Sequence, residues 1–362
     1  MLEIWRAGGS NTGFSERLAR KVEAEGWDGQ MFMDSQCLSA DPWALMGAWA
    51  CVTERIKLST GVTNPFTRHL AVTAASAATI QAISGGRAVL GLGRGDSALA
   101  WLGFAPVSIA VFERSLGTLQ TLLSGGDVPF DDAGAAPGEA PSHEGLSLGA
   151  RPEAARLKWL PADFPKVPLD VAATGPKVIR MSAPVAERVT FSVGADPERL
   201  AWAIGLGRDA RAEHGLAIED ESWGAQIIVA CHSDPEIAYE WAARSVPSLA
   251  RFQVIQGAAV GPSAGEASFD AIRKGYDMTK HGDHEAKERL TEGAIDPTFV
   301  RNFAVVGTPD QCIERMAELR RLGLSRFVVV GPGFYPEEWG SAGDLFVREV
   351  LPAVRAEHSP TS

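Results

Sequence analysis

Eight short apolar runs, each followed by a helix-like stretch, constrain this chain more than any other feature. They are Leu2–Trp5, Met31–Met33, Ile56–Thr60, Ala88–Leu92, Leu169–Ala173, Val189–Val193, Ala225–Ala230 and Phe327–Val330, bounded by Gly, Asp or Asn. Their near-continuous apolar character, without in/out alternation, predicts strands covered on both faces, as in a parallel sheet. Helix starts share one chemistry: Asp41-Pro42, Asp196-Pro197 and Asp234-Pro235 place an N-cap acid before a first-turn proline, and Thr308-Pro309 does so with a hydroxyl. Stops follow at Gly26, Gly85-Gly86, Gly125, Gly215 and Gly323. Eight strand–helix units predict a (β/α)8 TIM barrel, with an open doubly wound sheet as the other architecture of this pattern.

At 362 residues the chain has room for such a barrel with additions, and we expect residues 1–362 to form one domain. Two stretches interrupt the rhythm. Residues 126–168 are rich in Pro, Gly, Asp and Ala, and residues 252–300 hold Gly261-Pro262-Ser263-Ala264-Gly265 and Lys280-His281-Gly282-Asp283-His284. Segments of this length predict insertions that cover or line a site.

A formal charge of −11 opposes binding to nucleic acid and to anionic membrane surfaces, so neither is expected as a partner. An anionic ligand needs a local basic pocket, for which Lys177, Arg94, Arg68 and Arg6 are the candidates. No apolar run is long enough for a bilayer, and the start, Met1-Leu2-Glu3-Ile4-Trp5, is unlike a secretory signal, so a cytoplasmic location is expected. Cys37, Cys51, Cys231 and Cys312 are scattered without a Cys-x-x-Cys pair, which fits reduced thiols. His281, His284 and Asp283 lack a third strong ligand type nearby, so no metal is expected.

In a β/α barrel, chemistry sits at the carboxyl ends of the strands. The second strand runs into Asp34-Ser35-Gln36 and the third into Gly61-Val62-Thr63-Asn64-Pro65, where the glycine marks a bulge or a plain turn. The fourth gives Gly91-Leu92-Gly93-Arg94-Gly95-Asp96, which lacks the Gly-x-Gly-x-x-Gly of dinucleotide folds. It leaves a side-chain-poor platform, with Arg94 and Asp96 at its rim, that suits a flat heterocycle. After the fifth strand stands Ala172-Ala173-Thr174-Gly175-Pro176-Lys177, a small-residue turn opening a helix. Pro176 has no N–H, so Gly175 and Lys177 are left to donate to an anion such as phosphate. The sixth strand ends in Ser192-Val193-Gly194-Ala195-Asp196, which offers similar donors, so a phosphate site shared by the two junctions is expected.

Taken in order, the Thr-Gly-Val-Thr-Asn-Pro, Gly-Arg-Gly-Asp-Ser-Ala and Ala-Ala-Thr-Gly-Pro-Lys runs resemble the bacterial-luciferase-like superfamily. The resemblance is to the branch dependent on the deazaflavin coenzyme F420, which holds the methylenetetrahydromethanopterin reductases and F420-dependent sugar-phosphate dehydrogenases. It implies a barrel with insertions, a deazaflavin at its carboxyl end and a homodimer. It also implies a cis peptide at Gly61-Val62 pressing on one ring face, with Asp34 and Asp96 as the acids near the ring. Gly175, Pro176 and Lys177 match the phosphate-binding turn. Where the sugar-phosphate enzymes have histidine after the second-strand acid, Ser35-Gln36-Cys37 stand here, which argues against that substrate.

The expected activity is hydride transfer between F420 and a small organic substrate, since a deazaflavin carries carbon where a flavin has reactive N5. Asp34 and Asp96 are the candidate catalytic residues, as acid–base groups or as fixed hydrogen-bond acceptors. The expected cofactor contacts are Asp34, Gly61, Val62, Thr63, Asn64, Arg94, Gly95, Asp96, Ala173, Thr174, Gly175, Pro176, Lys177, Ser192, Val193 and Gly194. Trp43, Trp49, Trp101 and Phe104 are either substrate-pocket walls or core. Two alternatives keep the barrel: an FMN-dependent two-component monooxygenase and a cofactor-binding protein without turnover.

Overall fold

The computed structural model describes residues 2–8, 14–132, 143–147, 149–217, 222–255, 261–262, 265–281, 295–331 and 343–356. Its strands are β1 (Glu3–Gly8), β2 (Gly29–Phe32), β3 (Lys57–Thr60), β4 (Ala88–Leu92), β5 (Leu169–Ala173), β6 (Arg188–Phe191), β7 (Trp223–Cys231), β8 (Ala304–Gly307) and β9 (Arg326–Val330). All pairings between them are parallel. β1 to β7 pair in sequence, β7 pairs with β9, and β9 pairs with β1, so eight strands close a barrel as the apolar runs predict.

The ninth strand, β8, was not among those runs. It pairs with Ile228–Cys231, the far half of β7, beyond the three residues Trp223–Ala225 that pair with β6. Four residues of Ala-Val-Val-Gly directly after a helix carry too little pattern to announce a strand.

Helices α1 (Glu16–Ala24), α2 (Pro42–Val52), α3 (Leu70–Ile83), α4 (Ser97–Ala100), α5 (Ile109–Leu123), α6 (Pro176–Ser182) and α7 (Pro197–Glu213) follow the first six strands. The acids cap as expected: Asp41 accepts from Ala44 N at 2.9 Å, and Asp196 from Glu198 N at 2.9 Å. Thr308 opens the helix Pro309–Arg321 with a reciprocal capping box through Gln311. The glycine stop at Gly323 adopts φ +110°, which a side chain would strain.

The second insertion is larger than residues 252–300 and better built than a loop. α8 (Pro235–Ala250), expected as a barrel helix, packs instead on the far half of β7, on β8 and on a helix we number α10 (Pro297–Phe303), after α9 (Glu266–Gly275). Ile228, Val246, Leu249, Phe269, Ile272, Phe299 and Phe303 form its own apolar cluster, apart from the main core. The excursion therefore runs from the far half of β7 to Gly307. α11 (Pro309–Arg321) then packs against β8, β7 and α7 and leads into β9. The first insertion, over its described residues, holds only short 3-10 turns and a Val128–Ala155 bridge.

Inside the barrel, Trp5, Met31, Val89 and Val328 form a separate small cluster. A Cβ at Gly29 would lie 2.2 Å from the Trp5 ring, so the glycine makes room for the indole. At the amino ends of the strands the lumen is plugged by charge. Arg188 donates to Glu3 at 2.6 Å and to Asp170 at 3.4 Å, and Arg326 lies 3.2 Å from Asp170. Arg326 is fully buried, and burial pulls its guanidinium down to about 10 against the opposing pull of Asp170. A plugged floor leaves the carboxyl end as the place for a ligand.

Candidate active site

At the end of β2, Asp34 is buried, and both of its oxygens are engaged. Arg68 Nη1 donates to Oδ2 at 2.6 Å, and Gln36 Nε2 donates to Oδ1 at 2.5 Å. Arg68 also reaches Asp41 at 2.7 Å, tying the β3 loop to the cap of α2. Burial alone would lower the Arg68 guanidinium, but the Asp34 charge and its hydrogen bond outweigh it and raise the group. Ser35 Oγ and Ser97 Oγ are 3.3 Å apart, joining the ends of β2 and β4.

The third strand leaves regular pairing at Gly61, whose peptide to Val62 is cis. Thr63 then rejoins the sheet edge: its N–H donates to Gly91 O at 3.0 Å, and its carbonyl accepts from Gly93 N at 2.9 Å. The glycines of β4 permit this approach. A Cβ at Gly91 would sit 1.9 Å from Thr60 O, and one at Gly93 would sit 2.8 Å from Val62 Cγ2. The bulge thus rests on bare backbone.

Five buried side-chain atoms at these strand ends have no hydrogen-bond partner among the described residues: Gln36 Oε1, Thr63 Oγ1, Asn64 Nδ2, Thr67 Oγ1 and Asp96 Oδ1. Unmet buried polar groups cost free energy, and a group of them beside a side-chain-poor platform fits a ligand that supplies the missing partners. The donor and acceptor types suit the polar edge of a flavin-like ring, so the residues present fit such a group.

At the fifth junction Gly175 is the N-cap of α6 in an extended conformation, and no side chain caps the helix. Lys177 lies exposed on its first turn. The sixth junction differs from expectation. Asp196 spends its carboxylate on the N–H groups of Glu198 and Arg199, so the start of α7 already has an anion. Ser192 Oγ donates to Gln226 Oε1 at 2.8 Å, and Gly194 turns at φ +84° against Phe303. Of the two helix starts nominated for phosphate, only α6 lacks a capping side chain.

The other basic candidates have protein partners. Arg94 Nε donates to Val107 O at 2.7 Å, with its guanidinium lowered by burial, and Arg6 Nη1 donates to Gln30 Oε1 at 2.8 Å. Trp49 is core, edge-on to Phe32, and Trp43 packs at the core margin. Trp101 and Phe104 are exposed, and Phe104 meets Phe66 at 4.7 Å between ring centroids. Asp283 and His284 lie outside the described residues. His281 Nδ1 bonds the Tyr276 hydroxyl at 2.6 Å, and no group of three or more metal-ligand side chains occurs among the described residues.

Several contributors carry no local signature. Arg251, from the end of α8, forms an ion pair with Asp96 although 155 residues separate them. Gln253 Nε2 donates to Ser192 O at 2.7 Å while its Oε1 accepts from Arg199 Nη2 at 2.8 Å, and Arg199 Nη1 reaches Pro262 O at 2.7 Å. The second insertion is thereby bolted to the ends of β4 and β6.

Among known proteins, the chain is 27% identical to the 5,10-methylenetetrahydromethanopterin reductase of Methanolobus tindarius, over 87% of this chain and 89% of that one. It is 26% identical to the F420-dependent glucose-6-phosphate dehydrogenase of Microbacterium testaceum, over 88% of this chain and 83% of that one. In fold it matches the coenzyme F420 dependent tetrahydromethanopterin reductase of Methanopyrus kandleri with a TM-score of 0.74, at 20% identity and 98% and 99% coverage. The family model for luciferase-like monooxygenases matches residues 6–326, nearly the whole barrel from β1 to β9, and the chain belongs to that family.

Proposed function

We propose that this protein is an oxidoreductase that moves a hydride between coenzyme F420 and a small organic substrate, with residues 1–362 serving one site. The observation that carries the reading is the group of unpartnered polar atoms on Gln36, Thr63, Asn64 and Asp96 around the glycine platform of β4. The likeness over most of the chain to enzymes named for F420 supports it. When bound, the deazaflavin supplies a carbon centre that accepts or releases hydride.

In this reading Val62, held against Gly93, backs one face of the ring, while Thr63 and Asn64 meet its polar edge. Asp34, fixed by Arg68 and Gln36, anchors the β2–β3 corner, and its buried charge is kept in place by that pairing. Asp96 has an oxygen to spare and is the acid placed to touch the ligand. Gly175 and Lys177 hold the phosphate of the coenzyme tail at the start of α6, flanked by Ala173, Thr174 and Pro176, with Arg94 and Gly95 at the platform rim. Ser192, Val193 and Gly194 form the adjoining wall.

We also place a homodimer contact on α2 and α3. These adjacent helices contain no Asp, Glu, Lys or Arg, and Val72 and Ile83 stand exposed on α3. Quenching of tryptophan fluorescence by F420 and by FMN, titrated separately, tests the cofactor. Saturable F420 binding supports the reading, and binding of FMN alone overturns it in favour of oxygen-using flavin chemistry.

A further inference from the structure

We propose that Arg251 is a positioning residue for Asp96, and that the second insertion thereby sets the acceptor that the bound ligand meets at the end of β4. The proposal rests on the coenzyme reading above. Asp96 follows the platform glycines and begins the short helix α4, yet its side chain caps no N–H there. Its Oδ2 instead takes the Arg251 guanidinium, leaving Oδ1 buried and unpartnered.

The arginine is itself closely held. It is 5% exposed, its guanidinium lies 4.4 Å from the Phe252 ring centroid and 5.3 Å from that of Tyr276, and it also donates to Ser248 O. Tyr276 is fixed in turn by its hydroxyl bond to His281. A planar cation packed by two aromatic rings has little rotamer freedom, so the carboxylate paired with it is held in one orientation. Nothing local to Asp96 does this: its own helix start offers no bond, and the residues beside it are glycine and serine. One oxygen fixed by Arg251 and one buried oxygen left without a partner among the described residues is the arrangement of a preorganised acceptor for an N–H or O–H of the ligand.

The test is a double-mutant cycle read by F420 binding, with thermal unfolding alongside. A hydrogen bond to a charged acceptor implies that Asp96→Asn weakens F420 binding about tenfold or more. Arg251→Gln is expected to weaken it comparably, the double variant no further than either alone, and Arg251→Lys, which keeps the charge but not the planar fork, to restore only part of the affinity. Wild-type affinity in a folded Arg251→Gln, or losses that multiply in the double, overturns the proposal while leaving the coenzyme reading intact. If Arg251→Gln does not fold, Tyr276→Leu is read in its place. The expected result is a smaller loss that disappears in the Asp96→Asn background, and unchanged binding overturns the proposal. If the wild type binds only FMN, the coenzyme reading fails and the same cycle is run with FMN. A wild type that binds neither overturns both.

Discussion

Replacing Arg68 with methionine removes the guanidinium from between Asp34 and Asp41 while keeping the apolar stem. Asp34 is almost wholly buried, with a side chain 1% exposed, and would keep only the Gln36 amide as partner. Removing one member of a buried pair costs about 3–5 kcal/mol, because the other charge is left uncompensated. Arg68 itself is 18% exposed, so some water reaches the pair and about 3 kcal/mol is the fitting end of that range. The second bond, to the exposed Asp41, adds less than about 1 kcal/mol. Unfolding entropy near 2.1 cal/mol/K per residue over 362 residues converts about 3 kcal/mol into a fall in Tm of about 4 °C. Differential scanning calorimetry measures it, and the informative comparison is the double variant Arg68→Met/Asp34→Asn. With both charges gone, the double should recover most of the loss. A double variant as unstable as Arg68→Met alone would show that the cost lies in packing and not in the stranded carboxylate.

Glu3 gives a pH dependence with a definite sign. Burial pushes its carboxyl up, but Arg188 and Lys57 prevail and lower it to about 2 from 4.5. A depressed carboxyl stabilises the fold above the unfolded value and loses that contribution as pH falls from 4.5 towards 2, so Glu3→Gln should cost about 3 kcal/mol at pH 7 and progressively less in acid. Urea unfolding at pH 7 and pH 3 checks it, and a pH-independent difference contradicts it. Gly175→Val, at an extended backbone position that tolerates a side chain, should weaken F420 binding about tenfold or more while Tm moves little. Equal losses of both would count against the phosphate cradle. Gly91→Ala drives a Cβ to 1.9 Å from Thr60 O, and soluble folded protein should fall sharply in expression trials. Val72→Glu puts a charge on the uncharged face of α2 and α3 and should shift the sedimenting species from dimer to monomer; an unchanged dimer places the contact elsewhere.

The barrel is legible in the sequence because its signals are local. A run of apolar residues, an acid before proline and a glycine after the helix each act within a few residues, and Asp41, Asp196, Asp234 and Thr308 all cap as their sequences imply. The second insertion is misjudged for the opposite reason. Asp296-Pro297 carries the same start signal and caps α10 through Thr298 N, but it sits in a polar stretch that reads as loop. Only tertiary packing reveals that α8 belongs to the insertion and not to the barrel's helical ring.

At the site, the strand-end positions of Asp34, Thr63, Asn64, Asp96 and Gly175 follow from barrel geometry alone. Their partners do not. Arg68 meets Asp34 across 34 residues and Arg251 meets Asp96 across 155, and an arginine that pairs with a buried acid looks in sequence like any surface arginine. Asp196 shows the converse, since the acid that marks a helix start so clearly is the same group that occupies its donors.

The most direct test of the account is a crystal structure of the protein soaked with F420. The account predicts the ring on the β4 glycine platform beside Val62, within hydrogen-bond reach of Thr63, Asn64 or Asp96, and a tail phosphate at Gly175 and Lys177. F420 found away from the carboxyl ends of β3 to β5, or FMN there under conditions in which F420 does not bind, would contradict it.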